Sequence, residues 1–341
     1  MVIVFPGETG QAPRKAGDPH MKKILLDMDV GIDDSVALAY AIVNPDIDLV
    51  GVTATFGNVH VGQSVCNARF LLDLLGARDV PVEAGLSHPL GADKFLRSDD
   101  VVRIHGADGV GNIGEKYGVP TPGKDQLDAP GTGVDLILEA ARRYGKNLTL
   151  VPTGPLTNIA TAIRQDPQVM AGIADIVMMG GALTVTGNVT EAAEANIIAD
   201  PPACKEVFES GVPVTMVGLD VTMRTLLTSE NTAAWRATGS RAGRYLADML
   251  DYYIDQHVGM YSLHGCCYAH DPSAVVCALH PEWFQTLRLP LTCVTSGPDA
   301  GRTTCSSQCV EYSASATTRA CVDVDALAVA RDINQTLLSG L

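Results

Sequence analysis

The chain has 341 residues, 46% of them apolar, enough to bury a large core. Its 24 Lys and Arg against 39 Asp and Glu give a formal charge of −15. A surface this acidic repels nucleic acid and anionic membranes, so neither is an expected partner.

No apolar run approaches the roughly 20 residues of a membrane span. Val2–Phe5 is apolar but too short for a signal-peptide core, so a cytoplasmic location is expected. Residues 1–20 are rich in Gly and Pro, lack periodicity and precede Met21. They are read as a disordered extension outside a fold that spans residues 21–341.

The first predicted strand is Lys23–Leu26, ending at Asp27. Residues 33–43 follow as a helix whose first turn is acidic, as suits the positive end of a helix dipole. Then come a β-branched strand over Ile47–Phe56 stopped by Gly57-Asn58, a helix over about Val61–Leu75, and a short strand around residues 80–82. Residues 133–144 read as a helix and Asn147–Pro152 as a strand, with a helix beginning near Leu156. Ile173–Met179 is a strand, Pro202–Glu209 a helix and Val212–Leu219 a strand ending at Asp220. Strand, polar turn and helix thus alternate from Lys23 to about Thr222. That rhythm predicts an α/β fold: an open, mostly parallel sheet with helices on both faces. Beyond it, residues 241–257, Asp271–Leu279 and Asp325–Leu338 read as helices, and residues 287–324 as strands with turns. The result is one domain with a smaller C-terminal β/α portion, without internal repeats.

Nine cysteines and no secretory signal argue for reduced thiols. Cys66, Cys204, Cys277 and Cys293 sit in apolar or mixed segments and read as buried thiols. Cys305 and Cys309 form no convincing metal clip, because no paired second half follows.

Asp27, Asp29, Asn58, Thr153 and Asp220 all fall at or just past the carboxyl ends of predicted strands, the edge where open α/β sheets bind ligands. Residues 27–34 read Asp-Met-Asp-Val-Gly-Ile-Asp-Asp. Four aspartates this close repel one another and raise each other's pKa, and Gly31 lets the backbone turn sharply among them. A bound cation explains the cluster better than a solvated helix start does. Because every ligand on offer is an oxygen, the ion is a hard one, Ca²⁺ or Mg²⁺. Ca²⁺ tolerates the irregular geometry of a site that also takes substrate hydroxyls.

This segment resembles the D-x-D-x-x-x-D-D signature of the inosine-uridine preferring nucleoside hydrolase family. Thr55-Phe56-Gly57-Asn58, Ile104-His105-Gly106, the run from Val151 to Ala160, Met178-Met179-Gly180-Gly181, Gly187-Asn188 with Ala193-Glu194-Ala195-Asn196, and Ala269-His270-Asp271-Pro272 resemble further family segments in family order. The resemblance covers about residues 22–340. A strand followed by Asp-x-Asp also resembles haloacid-dehalogenase-type phosphatases. Those carry Thr or Val where Gly31 stands, and they lack the Asp33-Asp34 pair.

The resemblance implies a Ca²⁺-dependent N-ribohydrolase that releases free base and ribose from nucleosides. It implies Asp29, Asp34, Asp271 and the carbonyl of Thr153 as Ca²⁺ ligands, and Asp29 as general base toward the attacking water. Asp33, Asn58 and Asn196 would hold the ribose diol, Asn188 and Glu194 the 5′-hydroxyl, and Met179 would pack on the sugar. His270, or alternatively His105, would meet the departing base, since histidine can carry a proton near neutral pH. Homo-oligomers, dimers or tetramers, are the implied assembly. Many members carry an aromatic residue where Ala195 stands. Purine-specific members sandwich the base between tryptophans, whereas only Trp235 and Trp283 occur here. Broad or pyrimidine-leaning specificity is therefore expected. Residues 260–268 lie where the family places groups near the base, with Tyr261 or His264 as candidates. The alternatives are a non-catalytic nucleoside or ribose binder on the same scaffold, and a Mg²⁺ phosphatase.

Overall fold

The computed structural model describes residues 21–129, 131–305 and 316–341. The proposed N-terminal extension and Cys309 lie outside these residues. Twelve strands occur among the described residues. They are β1 (Lys22–Met28), β2 (Ile47–Ala54), β3 (Val82–Ala84), β4 (Leu148–Pro152), β5 (Asp175–Met179), β6 (Val214–Val217), β7 (Leu226–Thr228), β8 (Cys266–Tyr268), β9 (Phe284–Arg288), β10 (Leu291–Cys293), β11 (Thr303–Cys305) and β12 (Thr318–Val324). Eight form the central sheet, in the order β3-β2-β1-β4-β5-β6-β12-β9. Every pairing in it is parallel except that of β9 with β12. This is the open α/β sheet the sequence predicts.

In β1, Ile24, Leu26 and Met28 enter one apolar core while Leu25 enters the other. Successive side chains point to opposite faces, so a strand covered on both sides reads as an unbroken apolar run. The first core is closed by α1 (Ile32–Val43), α2 (Val61–Leu74) and the long and C-terminal helices Arg241–Tyr261, His270–Leu279 and Ala326–Gly340; the second by Gly133–Tyr144, Thr157–Gln165 and Pro201–Glu209.

The expected elements are present, with shifted ends. The strand expected at residues 80–82 begins at Val82, because Pro81 supplies only a carbonyl, which accepts from the Val52 N–H. The helix expected to stop at residue 257 runs on to Tyr261 and ends where Ser262 adopts φ 56°. Cys204, Cys277 and Cys293 are buried free thiols as expected, but Cys66 is only half-buried.

Strand order reverses direction between β1 and β4, which are neighbours in space and separated in sequence by β2 and β3. The crevice at such a switch point is where open α/β sheets take ligands. Asp29 follows β1 and Thr153 follows β4, so both stand at its mouth.

Candidate active site

The aspartate segment turns from β1 into α1 at Gly31. A Cβ on Gly31 would lie 2.6 Å from both the Asn58 amide nitrogen and His105 Nδ1. The close packing of three site residues therefore depends on glycine here. Gly57 has φ +149°, and a Cβ on it would lie 2.0 Å from Asp29 Oδ2. Both positions bring backbone against a carboxylate-bearing turn in a way other residues cannot.

Each carboxylate is held differently. Asp29 accepts from the Asn58 backbone N–H at 2.6 Å and from the Asn58 side-chain amide at 3.2 Å. Asp34 accepts from the Thr153 hydroxyl at 2.7 Å, from the Gly31 N–H at 2.8 Å and from the Asn58 amide at 3.0 Å. Asp33 is reached by the Tyr253 hydroxyl at 3.4 Å, while its Oδ1 is buried without a hydrogen-bond partner. Asp271, in the first turn of the helix His270–Leu279, arrives from far along the chain. Oxygens of Asp33, Asp34 and Asp271 lie within 4.8 Å of one another. The expected ligand set named Asp29 in place of Asp33; Asp29 stands beside this trio, fixed by Asn58. Asp27, given no ligand role by its sequence context, faces away and accepts from Thr53 and Asn158 hydroxyl and amide groups at 2.5 and 2.8 Å.

Burial dominates the electrostatics. It pushes Asp33 up to about 7, and repulsion from Asp34 adds to the effect. Burial followed by the Asp34 charge holds Asp29 well above the usual carboxylate range. Burial and the charges of Asp33, Asp34 and Asp29 do the same to Asp271. Asp34 is raised by burial against the pull of its hydrogen bonds. Among the described residues no Lys or Arg forms an ion pair with these four. Buried carboxylates crowded without a counter-charge, with one oxygen lacking any partner, form an all-oxygen donor set. Such a set fits a hard divalent cation.

A cavity of ≈ 330 Å³ opens over this cluster, bordered by Asp33, Asn58, Thr153, Met179, Asn196 and Asp271. That volume suits a small polar molecule. The carbonyl of Thr153 accepts from the Asn196 amide at 2.8 Å, so Asn196 is pinned beside the trio. At one end Glu194 caps the short helix Ala195–Ala199, accepting from the N–H groups of Asn196 and Gly181 at 3.0 Å. Burial pushes it up to about 7. Asn188 accepts from the Ala195 N–H at 3.0 Å, and Asn188, Glu194 and Ala195 all border the same cavity.

The far wall is aromatic and imidazole. His105, Tyr253, His257, Tyr261 and His270 border the cavity, and their rings form an edge-to-face and tilted chain with centroids 4.3 to 5.6 Å apart that also includes Tyr268. His105 Nδ1 accepts from the Ile32 N–H at 3.2 Å, which leaves Nε2 to carry the proton of the neutral ring. His270 Nδ1 lies 2.8 Å from the Thr222 hydroxyl. Burial lowers both rings to about 3 and His257 to about 4, so all three are neutral at pH 7.

Of the site residues singled out from the sequence, Asp33, Asn58, His105, Thr153, Met179, Asn188, Glu194, Asn196, His270 and Asp271 border this cavity, and Asp29 and Asp34 adjoin it through Asn58. Asp220 does not; it accepts from the Leu183 and Thr184 N–H groups at 2.8 and 2.7 Å and fixes that loop. Tyr261 lines the cavity and His264 does not. Trp235 is buried against Asn334, and Trp283 stacks on His280, both away from the cavity. Sequence reasoning missed Tyr253 and His257. Their signal was the four-residue spacing Tyr253-His257-Tyr261, one stripe of a helix.

A sequence model of the family described as "Inosine-uridine preferring nucleoside hydrolase" matches residues 24–331. The chain is 35% identical to a "Probable uridine nucleosidase 2" of Arabidopsis thaliana over 323 residues, covering 93% of this chain and 98% of that one. It is 36% identical to an "Inosine-uridine preferring nucleoside hydrolase" of Leishmania major, covering 81% and 84%. Among solved structures, a "Purine-Preferring Ribonucleoside Hydrolase" from Gardnerella vaginalis superposes with a TM-score of 0.86 at 40% identity, covering 94% and 99%.

Proposed function

The chain belongs to the inosine-uridine preferring nucleoside hydrolase family, and on that premise we propose a Ca²⁺-dependent N-ribohydrolase of broad or pyrimidine-leaning specificity. The carrying observation is the buried trio Asp33, Asp34 and Asp271 beneath a cavity that Asn58, Asn196 and Met179 also border.

Asp29, Asp34, Asp271 and the Thr153 carbonyl would hold the ion. When bound, it would supply Lewis acidity to the attacking water and anchor the ribose diol. Asp33, through its unpartnered oxygen, and the amides of Asn58 and Asn196 bind and orient the ribose hydroxyls. Asn188 and Glu194 receive the 5′-hydroxyl, and Met179 packs on the sugar. Asp29 takes a proton from water as its oxygen bonds to the anomeric carbon and the N-glycosidic bond breaks. The carboxylate field stabilises the positive charge that develops on the ribose. His270 or His105 gives a hydrogen bond to the departing base from a neutral ring.

The base-facing wall supports the specificity reading, because its rings come from His and Tyr and no tryptophan borders the cavity. A relative named for uridine and a neighbour named for purines both lie at 35–40% identity, which favours breadth. A homo-oligomer, dimer or tetramer, in the cytoplasm completes this reading. No helix among the described residues is long and apolar enough to cross a membrane.

The test is a parallel assay of inosine, guanosine, uridine and cytidine, with chelated and Ca²⁺-reloaded enzyme. Free ribose is expected from uridine and inosine, lost on chelation and restored by Ca²⁺. Full turnover in chelator would overturn the metal assignment, and hydrolysis of purine nucleosides alone would overturn the specificity.

A further inference from the structure

Three imidazoles border the active-site cavity, and each is held through Nδ1 by a different kind of group. His105 Nδ1 accepts from the Ile32 N–H at 3.2 Å, and His257 Nδ1 lies 2.9 Å from the Tyr253 carbonyl. A backbone N–H only donates and a carbonyl only accepts, so the neutral rings carry their protons on Nε2 in His105 and on Nδ1 in His257. His270 Nδ1 lies 2.8 Å from the Thr222 hydroxyl, a group that can do either.

The surroundings of Thr222 decide which. Thr222 ends the short helix Leu219–Thr222 after β6 and is fully buried. A helical Ser or Thr can donate to the carbonyl four residues back, as Thr161 does to Thr157 and Ser273 to Ala269. The Thr222 hydroxyl makes no such bond. The Gly218 carbonyl takes the Thr222 backbone N–H, and His270 Nδ1 is the hydroxyl's one partner among the described residues. Were Nδ1 to donate, the hydroxyl proton would be buried with no acceptor, which is costly. If the hydroxyl donates, no proton is left over. Nδ1 therefore accepts, and the neutral His270 ring carries its proton on Nε2. Among the described residues Nε2 has no hydrogen-bond partner, and it opens onto the cavity. The Tyr268 ring packs on this imidazole with centroids 5.5 Å apart, a contact that does not distinguish nitrogen from carbon. A half-turn of the ring about Cβ–Cγ would put a carbon where Nε2 stands, and the Thr222 bond is what opposes it.

We infer that Thr222 is a positioning residue, whose hydroxyl holds His270 in the tautomer and ring orientation that present Nε2–H to the departing base. This rests on the reading of the chain as an N-ribohydrolase. As the N-glycosidic bond breaks, its electron pair goes to the base, and a hydrogen bond placed beforehand stabilises that pair.

The test compares Thr222→Val, which keeps the shape and removes the hydroxyl, with Thr222→Ser, which restores it. Steady-state kinetics with Ca²⁺ present are run on uridine and on 4-nitrophenyl β-D-ribofuranoside, whose leaving group departs without a hydrogen bond. Thr222→Val should lower kcat on uridine about tenfold, the scale of one positioned hydrogen bond, and affect the nitrophenyl riboside far less. Thr222→Ser should recover most of the loss. Nitrogen-15 spectra of histidine-labelled protein, with the His270 signals identified by their absence from His270→Gln, should show a protonated Nε2 and a bare Nδ1 in the unmodified chain. Equal losses on both substrates, a change in KM alone, no recovery with Ser, or a protonated Nδ1 would overturn the inference. An unmodified chain that releases ribose from neither substrate would overturn the proposed function instead, and the nitrogen-15 pattern would still decide the Thr222 bond.

Discussion

Asp29 and Asp27 are two residues apart and answer to different physics. Asp29 turns toward the crevice and is gripped by Asn58 through two hydrogen bonds. Asp29→Asn is nearly isosteric but removes the proton acceptor and turns one NH2 toward an Asn58 donor, so kcat should fall about 10²–10⁴-fold, the usual worth of a general base. Steady-state kinetics on uridine check this, and a loss confined to KM would contradict it. Asp27 turns away and anchors Thr53 and Asn158. Asp27→Asn can keep the oxygen that accepts both hydrogen bonds but sets its NH2 at the buried Oδ2 position, which has no partner; this should lower stability by about 1–3 kcal/mol and leave kcat/KM nearly unchanged. Denaturant melts beside the kinetics separate the two roles. At this scale the sequence was highly legible, because four aspartates in eight residues are too costly to be accidental. What it hid was that Asp33 joins Asp34 and Asp271 in one trio. That depends on side-chain directions across 237 intervening residues, which no local pattern encodes.

At the scale of elements, the helix Arg241–Tyr261 supplies most of the aromatic and imidazole wall of the cavity. Its periodicity was readable, as was the alternation of strand and helix through β6. The role of its inward face was not, because Tyr253 and His257 look like ordinary core residues until the helix is laid over the crevice. His257 is fixed through Nδ1 to the Tyr253 carbonyl at 2.9 Å, and its Nε2 is buried with no partner. A polar atom so placed beside the cavity would meet the base in the proposed reaction. His257→Phe keeps the ring and removes the atom. It should lower kcat/KM about tenfold, the cost of one lost hydrogen bond to a buried group, and unequally for uridine and inosine. Equal values for both bases in the variant and the unmodified enzyme would count against a base contact. The C-terminal strands were the least legible elements. Among the described residues β10 and β11 are three residues each and pair only with one another, so neither carries a period long enough to read.

For the whole molecule, the site's charges make stability depend on pH and on the cation together. Six buried carboxylates, Asp27, Asp29, Asp33, Asp34, Asp271 and Glu194, have raised pKa values, to about 6 for Asp27 and about 7 for Asp33 and Glu194. A group whose folded pKa is raised stabilises the fold below its unfolded pKa, and that stability is lost as pH rises through the folded value. The three buried histidines act oppositely. Their folded values of about 3 to 4 mean that their stabilisation is present above the unfolded pKa and lost as pH falls toward the folded one. Above about pH 6.5 the unfolded histidines lose their remaining protons, and the six carboxylates outweigh the three histidines. Metal-free protein should therefore lose Tm as pH rises from 6.5 to 8. The proposed Ca²⁺ would favour the deprotonated carboxylates, so the Tm increase on adding it should grow over the same interval. Thermal melts at fixed ionic strength, with chelator or with Ca²⁺, measure both slopes. A metal-free Tm that climbs across this range, or a Ca²⁺ shift indifferent to pH, would show that these carboxylates are not what the cation compensates.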